Sequence, residues 1–464
     1  MSEKKIIVLG AGPGGYSAAF LAADRGLKVT LIDENPKPGG VCLHRGCIPS
    51  KSLLHLARLI EETRNAEACG LKFQPPEIDL NQIREWNREV ISKMANGLKS
   101  LCKQRGVEFI NGRARFLDGN NLLINDTDRM SFDHCIVATG SQPVCPPLFA
   151  ELGDRTLTST SALELEEIPQ RLLVVGGGYI GLEMGTVYAA LGSQVTVVEM
   201  TGELLPGVDR DLTRPLVARL KSKFQNIYLN TQVVSCELNE NQITVQFKGD
   251  AETGTYDRIL VAVGRKPNGV DIGLESTGVK IDDKGFIQVD EKFQTGEPSI
   301  SAIGDVIGGA MLAHKASAEG KTVVGILAGE TPDPKIRSVP AVVFTDPEIA
   351  WCGLTETEAK DQSRNVRVVK FPWGASGRAQ TLGRPDGVTK LILDPDTEQV
   401  LGMGITGVGA GELIGEGVLA VDNGLKAKDL AHSIHPHPTL SETIMESAEA
   451  FYGEATHIYN RPRK

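Results

Sequence analysis

The sequence predicts an α/β protein: two Rossmann-like βαβ units in tandem, followed by a separate α+β domain. Three observations carry this. The 464 residues exceed what one hydrophobic core organises and suffice for three or four domains. A strand–glycine–helix–strand pattern occurs twice, at residues 6–33 and 172–199. From Val339 onward the composition changes, and short strand-like runs follow without a glycine fingerprint.

In the first unit, an apolar β-branched run leads into Gly10-x-Gly12-x-x-Gly15, with Gly14 inside the motif. A helix-compatible stretch ends near Gly26, and a second strand ends in Asp33. The second unit repeats the plan with Gly176-x-Gly178-x-x-Gly181, a helix to Gly192, and a strand ending in Glu199. The terminal acid lies 23 positions after the first glycine in both copies. The physical logic is that of a dinucleotide site. The first glycine permits a tight turn, the second admits a pyrophosphate, and the third lets helix and strand approach closely. The helix N-terminus offers N–H groups to phosphate, and the terminal carboxylate accepts from ribose hydroxyls.

Each unit closes on Ala-x-Gly-x-x-Pro: Ala138-Thr139-Gly140 to Pro143, and Ala262-Val263-Gly264 to Pro267. Residues 61–106 are polar and helix-compatible. Residues 231–256 alternate in strand fashion and predict a meander. Beyond Val339, strands are predicted at 341–344, 366–371, 389–393 and 400–405, and Thr355-x-x-Glu358 reads as a capping box.

Net charge is −10 with a pI near 5.5, which disfavours nucleic acid as a partner. No apolar run approaches the ~20 residues a membrane span requires, so no membrane association is expected. The start lacks a secretory apolar region, so a cytoplasmic protein is expected. At the second site, Glu199 favours a free ribose 2′-OH and repels a 2′-phosphate. No arginine stands in the adjacent Met200-Thr201-Gly202 turn, so NAD is expected rather than NADP.

Of eight cysteines, only Cys42 and Cys47 are close in sequence. Four residues between them is wider than the usual zinc spacing, and no second Cys/His pair lies nearby. A disulfide closing so small a loop adds little stability. In a reducing cytosol a redox role is therefore the stronger reading.

The run Gly40-x-Cys42-x-x-x-x-Cys47-Ile48-Pro49-Ser50-Lys51 resembles the signature of the flavin disulfide reductases. The resemblance runs from about residue 5 to 453 and includes Ala302-Ile303-Gly304-Asp305, Met311-Leu312-Ala313-His314-Lys315 and His435-x-His437-Pro438-Thr439. Gly181-Leu182-Glu183-Met184-Gly185 and Phe371-Pro372-Trp373 are similar to bacterial members that oxidise dihydrolipoyl groups. The alternative within the family is a reductase of glutathione or mercuric ion. It is disfavoured because no NADP-binding arginine and no C-terminal cysteine pair is present.

The resemblance implies tightly bound FAD and exchanging NAD. Residues 1–147 and 272–340 would form the FAD-binding domain, 148–271 the NAD-binding domain, and 341–464 an interface domain that makes a homodimer. Gly10, Gly12, Gly14, Gly15, Asp33, Gly40, Thr139, Gly140, Asp305, Met311, Leu312, Ala313 and His314 would hold FAD. Gly176, Gly178, Gly181, Glu199 and Gly264 would hold NAD. Cys42 would be the interchange thiol and Cys47 the thiol against the flavin. Lys51, paired with Glu183, would lie near the flavin ring. His437 would be the base that serves the partner subunit's cysteines, with Glu442 behind it.

The partner would be a lipoyl domain of a 2-oxoacid dehydrogenase complex or the glycine cleavage protein. The residues themselves leave Glu442 with two roles, orienting His437 or closing a Thr439-x-x-Glu442 capping box, which one carboxylate is not expected to meet fully. His435 is expected to be structural. Arg45, in a departure from many relatives, adds a positive charge that could lower a cysteine pKa.

Overall fold

The computed structural model describes residues 4–331 and 338–459. The first parallel sheet runs Ile300–Ala302, His134–Val137, Lys5–Leu9, Lys28–Asp33, Glu108–Asn111. The second runs Thr156–Leu157, Arg258–Val261, Arg171–Val175, Gln194–Val198, Asn226–Tyr228. Position by position the two sheets have the same order. Their central strands are apolar throughout (Ile6, Ile7 and Val8 against Leu172, Leu173 and Val174, all essentially inaccessible), as expected of strands covered on both faces.

The repeat goes deeper than the sequence predicts. The meander expected in the second unit is present as Gln232–Asn239, Gln242–Lys248 and Gly254–Tyr256. The first unit carries its counterpart, Ala114–Asp118, Asn121–Ile124 and Asp128–Ser131. The two closing motifs also pair with each other: Ser141–Pro143 lies antiparallel to Arg265–Pro267. Between the first unit's strands sit helices Gly40–Arg45, Cys47–Asn65 and Leu80–Gln104, which fill the polar stretch.

The C-terminal sheet is antiparallel, in the order Ala341–Val343, Glu348–Gly353, Val400–Gly407, Val388–Leu393, Arg367–Pro372. Strand Glu348–Gly353 is absent from the sequence prediction. The other four strands match it to within a few residues. The capping box at Thr355 and Glu358 is present. Trp373 is fully buried and donates its indole N–H to Thr389 Oγ1 at 3.0 Å.

Lys390, 1% exposed, ties this sheet to the second unit. Its Nζ lies 2.6 Å from Asp209, 2.8 Å from Asp211 and 2.9 Å from Glu356. A buried ammonium persists only when surrounded in this way. Among the described residues, no helix is long and apolar enough to cross a membrane.

Candidate active site

The two glycine loops use one geometry twice. A Cβ on Gly10 (φ +102) would meet the Ala138 carbonyl oxygen at 2.3 Å, and one on Gly176 (φ +109) the Ala262 oxygen at 2.4 Å. A Cβ on Gly15 or Gly181 would strike the carbonyl oxygen of Gly10 or Gly176. The terminal acids are engaged with these loops. Asp33 accepts from the Ala11 N–H at 2.6 Å and the Asn35 N–H at 2.8 Å. Glu199 accepts from the Gly177 N–H at 2.7 Å and the Thr201 N–H at 2.8 Å. Their sequence-expected ribose role is thus shared with a structural one, which the four lone-pair sites of a carboxylate allow.

Helices Pro13–Asp24, Tyr179–Leu191 and Ala313–Leu327 all start without a side-chain cap. Their first N–H groups have no intrahelical partner, the donor set a pyrophosphate accepts. A Cβ on Gly140, Gly178 or Gly264 would meet nothing within 4 Å, so these positions leave room beside the loops. The chain therefore fits two dinucleotides.

Asp305 accepts from Ser141 Oγ at 2.5 Å, and Arg265 donates to Ser141 Oγ and O, each at 2.7 Å. Thr139 is locked to Asn268, donating to its carbonyl at 2.8 Å and accepting from its side chain at 2.9 Å. Sequence reasoning missed Ser141, Arg265 and Asn268. The repeated Ala-x-Gly-x-x-Pro motif was the available signal, because these residues lie in or just beyond it. Met311, Leu312 and Ala313 lead into the third uncapped helix. His314 follows in the first turn of that helix, and its Nε2 is bonded to the Pro340 carbonyl at 2.6 Å.

Gly40 brings the cysteines to the first loop: a Cβ there would lie 2.5 Å from Gly12 Cα. Both thiols are free in this structure, Cys42 half-buried and Cys47 exposed. Cys47 opens helix Cys47–Asn65, where the helix dipole favours a thiolate. The hydrogen bond from Cys42 lowers the Cys47 pKa to about 7. Although the residue is exposed, the chain packed around its sulfur opposes this by desolvation; Lys51 assists and Glu183 opposes. The Cys42 thiol is pushed up, first by the bond to Cys47 and then by burial.

Lys51 Nζ is 2.8 Å from Glu183 Oε2, as expected. Phe344, not anticipated, completes this group. Its N–H donates to Glu183 Oε1 at 3.0 Å, and its ring centroid is 4.5 Å from Lys51 Nζ. The Arg45 guanidinium donates to Asn35 at 3.1 Å, and the cation that lowers the Cys47 pKa is Lys51.

His437 lies in the C-terminal domain, its side chain 73% exposed, with Nδ1 2.9 Å from Glu442 Oε1. The other oxygen, Oε2, accepts the Thr439 N–H at 2.8 Å. One carboxylate thus meets both donors, one through each oxygen, but no capping box forms: the helix starts at Glu442 without a side-chain cap, and Thr439 Oγ1 donates to the Pro436 carbonyl instead. Burial raises the Glu442 pKa, but the Thr439 and His437 bonds outweigh it and hold the carboxyl low. Both nitrogens of His435 are occupied, by Glu416 at 2.9 Å and the Ser433 carbonyl at 2.8 Å, so this ring is structural.

A family model described as pyridine nucleotide-disulphide oxidoreductase matches residues 4–320, and that family's dimerisation domain matches 339–448. The chain belongs to this family. Among similar members is the dihydrolipoyl dehydrogenase of Haemophilus influenzae, 45% identical over 100% of this chain and 98% of that protein. The dihydrolipoyl dehydrogenase of Geobacillus stearothermophilus is 41% identical over 99% and 98%. Among solved structures, LpdA from Mycobacterium tuberculosis superposes with a TM-score of 0.90 at 29% identity, covering 96% of this chain and 99% of that one. The HOCl-induced flavoprotein disulfide reductase RclA from Escherichia coli gives 0.86 at 28%, with the same coverage. The family uses FAD and NAD, in keeping with the two glycine loops.

Proposed function

We propose that this chain is a dihydrolipoyl dehydrogenase, taking two electrons from a dihydrolipoyl group through Cys42 and Cys47 to NAD. One observation carries the reading: Cys47 opens helix Cys47–Asn65 beside Cys42 and the Lys51–Glu183 pair, with its pKa lowered by the bond from Cys42 and by the Lys51 ammonium. Relatives 40–45% identical over their whole length bear that activity's name.

In the oxidised enzyme Cys42 and Cys47 are joined as a disulfide. Glu442 holds the proton on His437 Nδ1, which leaves the Nε2 lone pair to accept a proton from a substrate thiol. The resulting thiolate attacks Cys42 Sγ, and the S–S bond breaks with Cys47 leaving. The helix N-terminus and Lys51 stabilise the departing thiolate. The second substrate thiol then attacks the first substrate sulfur, giving its proton to Cys42; the bond to Cys42 breaks, Cys42 leaves as a thiol, and the substrate leaves as a disulfide. FAD, when bound, carries the electron pair from the reduced thiols to NAD.

Gly10, Gly12, Gly14, Gly15, Asp33, Gly40, Thr139, Gly140, Asp305, Met311, Leu312, Ala313 and His314 would line the FAD site, built from residues 1–147 and 272–340. Gly176, Gly178, Gly181, Glu199 and Gly264 in residues 148–271 would hold NAD. Residues 341–464 would join two copies, so that His437 serves the partner's cysteines. The donor would be a lipoyl domain of a 2-oxoacid dehydrogenase complex or of the glycine cleavage system, in the cytoplasm. The test is NADH formation from dihydrolipoamide, together with a long-wavelength thiolate-to-flavin band on two-electron reduction. A protein that shows neither refutes the reading.

A further inference from the structure

The Lys51–Glu183 pair is completed from a third region of the chain. Lys51 stands on the helix that Cys47 opens, and Glu183 on the helix of the second glycine loop. Phe344 directly follows the first strand of the C-terminal sheet. Its ring lies 4.5 Å from the ammonium and its N–H satisfies the carboxylate oxygen that Lys51 leaves free. The segment is anchored two residues on. Asp346 accepts from Arg219 of the second unit at 2.9 Å and is also paired with Arg384 of the C-terminal domain. The ring is half-buried and packs against the apolar cluster that contains Leu53, Leu54 and Leu182.

We propose that Phe344 is a positioning residue for the redox centre: its ring and N–H together hold Lys51 and Glu183 where the ammonium faces Cys47. The inference rests on Cys47 being the thiol set against the flavin.

The physical argument has two parts. A cation is attracted to the face of an aromatic ring, so Phe344 restricts an otherwise flexible four-carbon side chain. The N–H to Glu183 draws charge away from a carboxylate that opposes the Cys47 thiolate. Both effects favour Lys51 over Glu183 in the field at Cys47. The ionisable groups that act on that sulfur are Cys42, Lys51 and Glu183, and its charge reaches the phenols of Tyr16 and Tyr179. Of these groups it is Lys51 that lies over the Phe344 ring, so replacing the ring acts on the sulfur through Lys51. The C-terminal domain thereby sets a property of a sulfur almost 300 residues earlier in the chain.

The experiment uses the full-length flavin-loaded protein, reduced by one equivalent of dithionite without air. The intensity of the thiolate-to-flavin band is followed against pH in wild type, Phe344→Leu and Phe344→Tyr. Thermal unfolding is recorded alongside. Phe344→Leu keeps the backbone N–H and apolar volume but removes the ring. Its midpoint is expected to rise by about half a unit to one unit, threefold to tenfold less thiolate at a given pH. Phe344→Tyr keeps the ring and is expected to titrate as wild type.

An unchanged or lowered midpoint in Phe344→Leu overturns the proposal, even when its unfolding temperature falls. An equal shift in both variants overturns it too. Should Phe344→Leu not fold, Phe344→Met makes the same test. A wild-type protein without the band instead refutes the assignment of Cys47, a result distinct from any difference among variants.

Discussion

The two glycine loops share a skeleton and differ in what surrounds it. The first is closed in. Gly14 packs on Ala316 of helix Ala313–Leu327, and a Cβ on Gly40 would press on Gly12. The second is open. Gly178 faces empty space, Tyr179 is 39% exposed and Met200 71% exposed. One folding device thus yields an enclosed cradle suited to a resident group and an open one suited to a group that comes and goes. The difference comes from the neighbours, since the turns themselves superimpose in their constraints.

The largest effect that probes this contrast is at the first loop. Gly10→Ala forces a left-handed backbone costing about 1–2 kcal/mol, besides a collision with the Ala138 oxygen. The protein is expected to purify without flavin, which its visible spectrum reads directly. Gly176→Ala carries the same strain at the open loop. It is expected to keep its flavin while the KM for NAD rises about tenfold or more. Equal flavin loss in both would erase the distinction.

His437→Gln is expected next, with kcat for dihydrolipoamide down about 10²–10⁴-fold and the flavin spectrum unchanged. A smaller effect belongs to pH. A thiol lowered to about 7 is ionised above that value and protonated below it, so the thiolate-to-flavin band should fade as pH falls through about 7. The accompanying stabilisation has the same sign. It is complete above the ordinary thiol value of 9.0 and lost on acidification through about 7, as pH-dependent unfolding of the protein with both cysteines reduced would register. The smallest effect is expected from Arg45→Val. The Asn35 contact holds that charge aside, so the thiol titration should not move.

Much of this was legible in the sequence because it rests on local chemistry. The glycine spacings, the cysteine pair, and the His437–Glu442 interval all act over a few residues. What was illegible depends on distant chain. The strand Glu348–Gly353 lies between Ala341–Val343 and Val400–Gly407, and the second of these partners is about 50 residues away. Phe344 reads as one more apolar residue at a strand end until Glu183 and Lys51 are set beside it. The division of Glu442 between two donors was visible as two motifs but not as one geometry, because sequence does not show which oxygen faces which group.

The antiparallel ribbon of Ser141–Pro143 and Arg265–Pro267 has a consequence for ancestry. The polypeptide leaves the first unit along one of these strands and returns along the other, with the Val144 N–H bonded to the Gly264 carbonyl at 3.0 Å. Everything between is a cassette whose two ends meet. Such a segment can be spliced into a host without disturbing its sheet, as tolerated domain insertions require. A gene duplication landing inside its own parent would leave this architecture behind.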